Sequence, residues 1–257
     1  MVLLHDQIVL VTGASSGIGA ACARIFAQNG ARTILAARRM DKLEQLATEI
    51  TGTYGGEVHL LQLDVCDRAQ VEAILATLPP SWSAIDILIN NAGLSRGLDK
   101  LQTGSIQDWE EMIDTNVKGL LYVTRSLLAG MISRGRGHVI NLGSIAGHQA
   151  YPGGNVYCAT KAAVKSISEG MKLDLLGTPV KISSVDPGMV ETDFSEIRFR
   201  GDSDRAKQIY QGLTPLTPGD VAEVVFFCAT RPAHVNINEV ILMPVDQASA
   251  TMVNRIL

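Results

Sequence analysis

The strongest constraint on this chain is an aliphatic run, Ile8 to Thr12, that passes directly into Gly13-Ala14-Ser15-Ser16-Gly17-Ile18-Gly19 and then into an amphipathic stretch reaching Gln28. Glycines at the end of a buried strand let the backbone turn tightly, approach a bound anion closely and pack the next helix on the sheet. The free amides at the helix start suit a pyrophosphate. A chain that opens this way is committed to parallel strands joined by helical crossovers.

The rest of the sequence keeps that alternation. Strands are predicted over Ile8–Thr12, Thr33–Ala36, Val58–Leu63, Ile87–Asn90, His138–Leu142, Lys181–Val185 and Glu239–Leu242. Helices are predicted over Gly17–Gln28, Met40–Thr51, Arg68–Thr77, Ile106–Ser133, Val156–Leu176 and Pro218–Ala229. Short aliphatic runs alternating with longer amphipathic ones predict an α/β fold, a single Rossmann-type doubly wound parallel seven-stranded sheet with helices on both faces. Gly30 reads as the C-terminal cap of the first helix, and Thr217-Pro218 as an N-cap followed by proline at the first helical position. With no linker or repeat in its 257 residues, the chain is expected to be one catalytic domain, 1–257. The weakly periodic, charge-alternating stretch 191–212 is expected to leave the sheet as a lid.

Composition narrows the function classes. A net charge of -4 gives no basic footprint, so neither nucleic acid nor a membrane surface is expected as a partner. Cys22, Cys66, Cys158 and Cys228 have no zinc or CxxC spacing and are expected to be free thiols in the cytoplasm. The first strand starts too early to leave room for a signal peptide, which agrees with that compartment. His5, His59, His138 and His234 show no ligand spacing, so no metal is expected, and His148 reads as loop polarity or a substrate contact.

The second strand ends in Ala36-Ala37-Arg38-Arg39, where a site for an unphosphorylated ribose needs an acidic side chain. Arg38 and Arg39 instead suit a 2′-phosphate, which favours NADP(H) over NAD. Asp64 and Val65, closing the third strand, are candidates for the adenine edge; the alternative for Asp64 is a helix cap. Tyr157 and Lys161 stand four apart in a predicted helix, so phenol and ammonium share one face. The cation is expected to lower the tyrosine pKa toward the range of a useful proton donor or acceptor. Ser144, after the fifth strand, lies at the carboxyl edge of the sheet, where such folds bind ligands.

TGASSGIG, Asn90-Asn91-Ala92-Gly93, Asn116 within DTNVKG, Ser144, the YxxxK of Tyr157 to Lys161 and Pro187-Gly188 stand in an order that resembles the short-chain dehydrogenase/reductase family over nearly the whole chain. The resemblance implies that Tyr157 is the proton donor and acceptor and that Ser144 bonds the substrate oxygen. It further implies that Lys161 holds the nicotinamide ribose and Asn116 supports a proton-relaying water. Gly13, Ser15, Ser16, Gly17, Ile18, Gly19, Asn91, Ala92, Gly93, Pro187, Gly188, Val190 and Thr192 would line the cofactor. It also implies a homotetramer built on the two long helices.

A narrower likeness, in IDILINNAGL, DWEEMIDTNVKGL, GGNVYCATKA, RFRGD, LTPGDVAE and PAHVNINEVILMPVDQ, is to NADP-dependent 3-hydroxy acid dehydrogenases acting on serine and allo-threonine. The segment Pro187 to Phe194 is one residue shorter than that subgroup leads one to expect. The expected substrate is a small 3-hydroxy acid, contacted by Ser144, Asn155 and Tyr157. Its carboxylate needs a cation, for which Arg198 and Arg200 lead and Arg96 and Asn155 follow. Two alternatives are a reductase of bulkier carbonyl compounds and a non-catalytic NADP-binding redox sensor; the joint presence of Ser144, Tyr157 and Lys161 argues against the sensor.

Overall fold

The computed structural model describes residues 4–256. Strands β1 (Ile8–Thr12), β2 (Arg32–Ala37), β3 (Val58–Gln62), β4 (Ile87–Asn90), β5 (Gly137–Leu142), β6 (Val180–Pro187) and β7 (Glu239–Leu242) form one sheet in the order β3-β2-β1-β4-β5-β6-β7. Every pairing is parallel. The order reverses where β1 meets β4, so the loops after these two strands diverge and leave a crevice at the carboxyl edge.

Alternating residues of the strands feed two separate cores. Val9, Val11, Leu35, Ile87, Ile89 and Ile140 face α1 (Gly17–Gln28), α2 (Met40–Tyr54) and α9 (Pro218–Ala229), with the side chains of Phe26, Leu43 and Val225 packed between them. Leu10, Ile34, Leu88, Val139 and Ile182 face the opposite helices, α3 (Arg68–Ala76), α5 (Leu120–Arg134) and α6 (Asn155–Asp174). Phe26 is wholly buried and meets Phe226 edge to face at 5.4 Å. Truncating such a side chain to alanine costs ~3–5 kcal/mol.

Local signals place the helix ends. Thr217 and Asp220 form a reciprocal capping box with Pro218 in the first turn, and Gly30 takes φ +87° just past α1. The long helix expected over Ile106–Ser133 is not uniform. It comprises α4 (Ile106–Ile113), a π-helical turn over Asp114–Gly119, and α5. Gly119 sits against Val65, whose Cγ2 would lie 2.7 Å from an added Cβ, so the widened turn is packed onto the end of the third strand's loop.

The 191–212 stretch does leave the sheet, and it contains α7 (Phe194–Arg198) and α8 (Ser203–Gln208). Its neck is closed by Glu191 N–H donating to Leu216 O and Leu216 N–H donating to Met189 O, both 2.9 Å.

Candidate active site

The glycine loop is shaped from two sides. Gly13 has φ +64°, and a Cβ there would lie 2.9 Å from Ala92 Cα. A Cβ on Gly19 would strike Gly13 O and stand 2.5 Å from Asn91 Nδ2. Asn91 Nδ2 donates to Thr12 O at 2.9 Å and Gly13 O at 3.2 Å, while the backbone amides of Asn91 and Ala92 both donate to Thr12 Oγ1 at 3.1 Å. Asn91 therefore fixes the loop with its side chain. Asn90 reaches the other way, donating to Thr124 Oγ1 and Asn141 Oδ1 inside the core.

At the outer end, Arg39 Nη2 donates to Ser15 Oγ at 3.0 Å and Ser16 Oγ at 2.9 Å. Arg38 is exposed beside it. Two guanidiniums and two hydroxyls, with no carboxylate at the end of β2, fit a dinucleotide bearing a 2′-phosphate, and the glycine cradle fits its pyrophosphate. Asp64 does not cap α3; that is done by Asp67, whose carboxylate accepts from Gln70 N–H. Asp64 instead folds back on its own loop, accepting from Cys66 N–H at 3.0 Å.

A cavity of about 450 Å³ opens between the glycine loop and the carboxyl ends of β4, β5 and β6. Gly13, Ser16, Gly17, Ile18, Asn91, Ala92, Gly93, Ser144, Tyr157, Lys161, Pro187, Gly188, Val190 and Thr192 line it. Arg38, Arg39, Asp64, Val65, Ser15, Gly19, Asn116 and Asn155 lie outside its walls. Ser144 enters from the extended residue before a short 3₁₀ turn, Ile145–Gly147, its Oγ accepting from Ala146 N–H. Tyr157 and Lys161 come from the first turns of α6, both buried. Lys161 Nζ donates to Leu142 O at 2.8 Å and lies 6.0 Å from the Tyr157 ring.

Asn116 stands behind this wall in the π turn. Its Nδ2 donates to Leu94 O and Thr160 Oγ1, and its Oδ1 accepts from Leu94 N–H. Both amide hydrogens are used, so the side chain ties the NNAG loop to α6, and its oxygen keeps one lone pair to accept from a water.

The electrostatics differ from the sequence expectation. Burial pushes the Tyr157 phenol well above its ordinary pKa, Tyr151 adds to the rise, and Arg198 and a Ser144 hydrogen bond pull the other way. Desolvation thus outweighs the lowering that the four-residue spacing to Lys161 suggested. Burial also lowers Lys161, to about 8, against the opposing charge of Asp186. Cys158 is buried and its thiol is raised by desolvation, as suits a packing residue.

The candidate anchors separate cleanly. Arg200 pairs with Asp108, and Arg96 pairs with Glu111 at 2.6 Å while donating to Ile197 O at 2.5 Å. Asn155 accepts from Val156 N–H and donates to Asp99 O, and it does not line the cavity. Only Arg198, among these four, lines the cavity.

Phe194 borders the cavity at the end of the Pro187 to Phe194 segment, but sequence reasoning missed the rest of the far wall: Tyr151 and Tyr210 line it, as do Gln247, Thr251 and Arg255 from the stretch after β7, and none carries a periodic signal. It also missed the partner of His148, whose Nε2 lies 2.5 Å from Asp186 Oδ2 and 3.7 Å from Glu239 Oε1. These three donors converge, yet Lys165 stands 3.5 Å from Glu239 and Ser184 donates to Asp186, so the protein itself supplies cation and donor. His148 thus belongs to a polar cluster that runs from buried Asp186 to exposed Glu239 rather than to the pocket wall.

A family model described as short chain dehydrogenase matches residues 7–202. The NADP-dependent 3-hydroxy acid dehydrogenase of Salmonella typhi is 50% identical over 245 residues, 95% of this chain and 97% of that one. The enzyme of the same description from Schizosaccharomyces pombe is 42% identical over 253 residues, 98% of each chain. Among solved structures, a serine dehydrogenase in its closed form complexed with NADP+ superposes with a TM-score of 0.91 at 48% identity, covering 96% of this chain and 98% of that one.

Proposed function

The chain belongs to the short-chain dehydrogenase family, and from that premise we propose that it is an NADP-dependent enzyme that oxidises a small, serine-like 3-hydroxy acid at C3 to the 3-oxo acid and catalyses the reverse reduction. The observation that carries the reading is the meeting of Ser144, Tyr157 and Lys161 on one cavity wall that also bears the guanidinium of Arg198.

NADP(H) supplies and accepts the hydride; the residues described manage binding and the proton. Arg38, Arg39, Ser15 and Ser16 would hold the 2′-phosphate, the glycine loop the pyrophosphate, and Lys161 the nicotinamide ribose. Pro187, Gly188, Val190 and Thr192 would wall the nicotinamide side. In reduction, Tyr157 Oη gives its proton to the carbonyl oxygen while Ser144 Oγ donates to the same atom, and in oxidation the deprotonated Tyr157 Oη takes the hydroxyl proton while Ser144 Oγ keeps donating to that oxygen. Asn116 acts as a positioning residue through Leu94 and Thr160.

The reading extends to a cytoplasmic homotetramer with no nucleic-acid or membrane partner. Four free cysteines support a reducing compartment. Among the described residues, no helix is long and apolar enough to cross a membrane. Exposed Leu121 and Ile132 on α5 and Leu173 on α6 support burial by further copies. Sedimentation showing only monomer at micromolar concentration would reject the tetramer.

The decisive assay supplies NADP+ with serine, allo-threonine and 3-hydroxybutyrate beside neutral secondary alcohols of the same size. Strong preference for the acids is expected. Equal turnover of the neutral alcohols would overturn the substrate class.

A further inference from the structure

Resting on the 3-hydroxy acid reading, we propose that Arg198 is the residue that binds the substrate carboxylate and sets the preference for acids, while Arg96 and Arg200 serve only to hold its helix in place.

The argument begins with charge balance. Arg96 and Arg200 face Glu111 and Asp108, Arg205 stacks on Phe199 at 4.3 Å, and Arg255 donates to the carbonyls of Ile209 and Gln211. Arg198 has no carboxylate partner among the described residues; its hydrogen bond goes to the neutral Tyr151 hydroxyl at 3.1 Å. Its Nε is buried without any partner. A partly desolvated guanidinium without a counter-charge carries a cost that an anion arriving in the same cavity lowers.

Geometry makes this cation specific. The guanidinium carbon lies 5.1 Å from the Phe194 ring centroid and 5.5 Å from that of Tyr157. The two ring centroids are themselves 5.6 Å apart, so both aromatics flank the guanidinium from one side, and the N–H groups it turns to the cavity are the part that engages a carboxylate. Arg198 borders the same cavity as Tyr157 and Ser144, so an acid held at Arg198 would present a nearby carbinol to the phenol and to Ser144.

The backbone beneath is fixed in advance. Gly97 N–H donates to Arg198 O at 3.0 Å, Arg96 donates to Ile197 O, and Arg200 pairs with Asp108 on α4. A carboxylate therefore meets donors already in place, and little ordering accompanies binding.

The test compares 3-hydroxybutyrate with its methyl ester in the wild-type enzyme and in Arg198→Leu and Arg198→Lys, with NADPH binding followed by fluorescence. Arg198 also lies close enough to influence the Tyr157 phenol, and both substrates use that phenol. The ratio of their kcat/KM values therefore isolates the anchor.

We expect the acid-over-ester ratio to fall about 10–100-fold in Arg198→Leu, chiefly through KM for the acid, and by less in Arg198→Lys, which keeps charge without the fork. NADPH affinity should stay within about twofold, because the site of the 2′-phosphate is remote. An unchanged ratio in both variants, with the wild type preferring the acid, would overturn the anchor alone. Loss of NADPH binding in both would make Arg198 part of the frame and overturn it equally. A wild-type enzyme indifferent between acid and ester would overturn the substrate class itself, so the two failures are distinguishable.

Discussion

Arg39 is hydrogen-bonded to Ser16, Nη2 to Oγ at 2.9 Å, which joins the end of the second strand to the glycine loop at the mouth of the crevice. A 2′-phosphate placed there would meet the guanidinium and the hydroxyl together. Replacing Arg38 and Arg39 by glutamine should raise KM for NADP+ about 10–100-fold while changing that for NAD+ several-fold at most. Steady-state kinetics with both cofactors decide it, and equal changes would remove the clamp.

Tyr157→Phe should reduce turnover by about 10²–10⁴-fold, since proton transfer by a positioned side chain contributes on that scale. NADPH affinity should be nearly unchanged, because the ring remains and only the proton is lost. A variant retaining substantial turnover would reassign the proton donor.

Because burial holds the phenol protonated above its ordinary range, reduction finds its acid ready at neutral pH, whereas oxidation needs the proton removed. The rate of 3-hydroxy acid oxidation should therefore climb with pH above neutrality. Reduction should be flat there and decline once Lys161, lowered to about 8, loses its charge. Pulse-free initial rates in both directions across this range provide the check; a plateau of oxidation already reached at neutral pH would contradict a raised phenol.

His138 offers a stability prediction. Its ring is buried, Nε2 shares a hydrogen bond with Ser183 Oγ, and desolvation aided by Lys181 and Lys172 lowers its pKa from 6.5 to about 3. The folded pKa lies below the unfolded one, so between these values the unfolded chain holds the extra proton. Stability from this group is complete above pH 6.5 and declines as pH falls toward 3, by about 1.4 kcal/mol per pH unit. Denaturant titrations should show a shallower acid dependence in His138→Leu than in wild type, whatever the variant's stability at neutral pH; parallel curves would exclude His138 as a source of that dependence.

Much of the site was legible because its signals are local. Helical geometry alone sets Tyr157 and Lys161 on one face, and glycine's freedom at positive φ marks Gly13, where the close approach of Ala92 leaves no room for a Cβ either. The cofactor preference could be read from Arg38 and Arg39 because the end of the second strand in this fold always borders the ribose.

What the residues determined by themselves, then, was the alternation of strands and helices, the glycine loop, the pairing of phenol and ammonium, and the missing acid that selects a phosphorylated cofactor. Each depends on neighbours within a few positions or on a fixed place in the fold. Only the tertiary structure decided which arginine stands free. Arg96, Arg198 and Arg200 are equally cationic in sequence, and it is Glu111 and Asp108 on α4 that neutralise two of them and leave the third over Tyr157. It likewise decided the state of the phenol, which burial raises, with Tyr151 and Cys158 adding to the rise and Arg198 and Ser144 opposing it. Burial and ion pairing between distant segments leave no periodic trace in a sequence, and those two effects set the chemistry of this pocket.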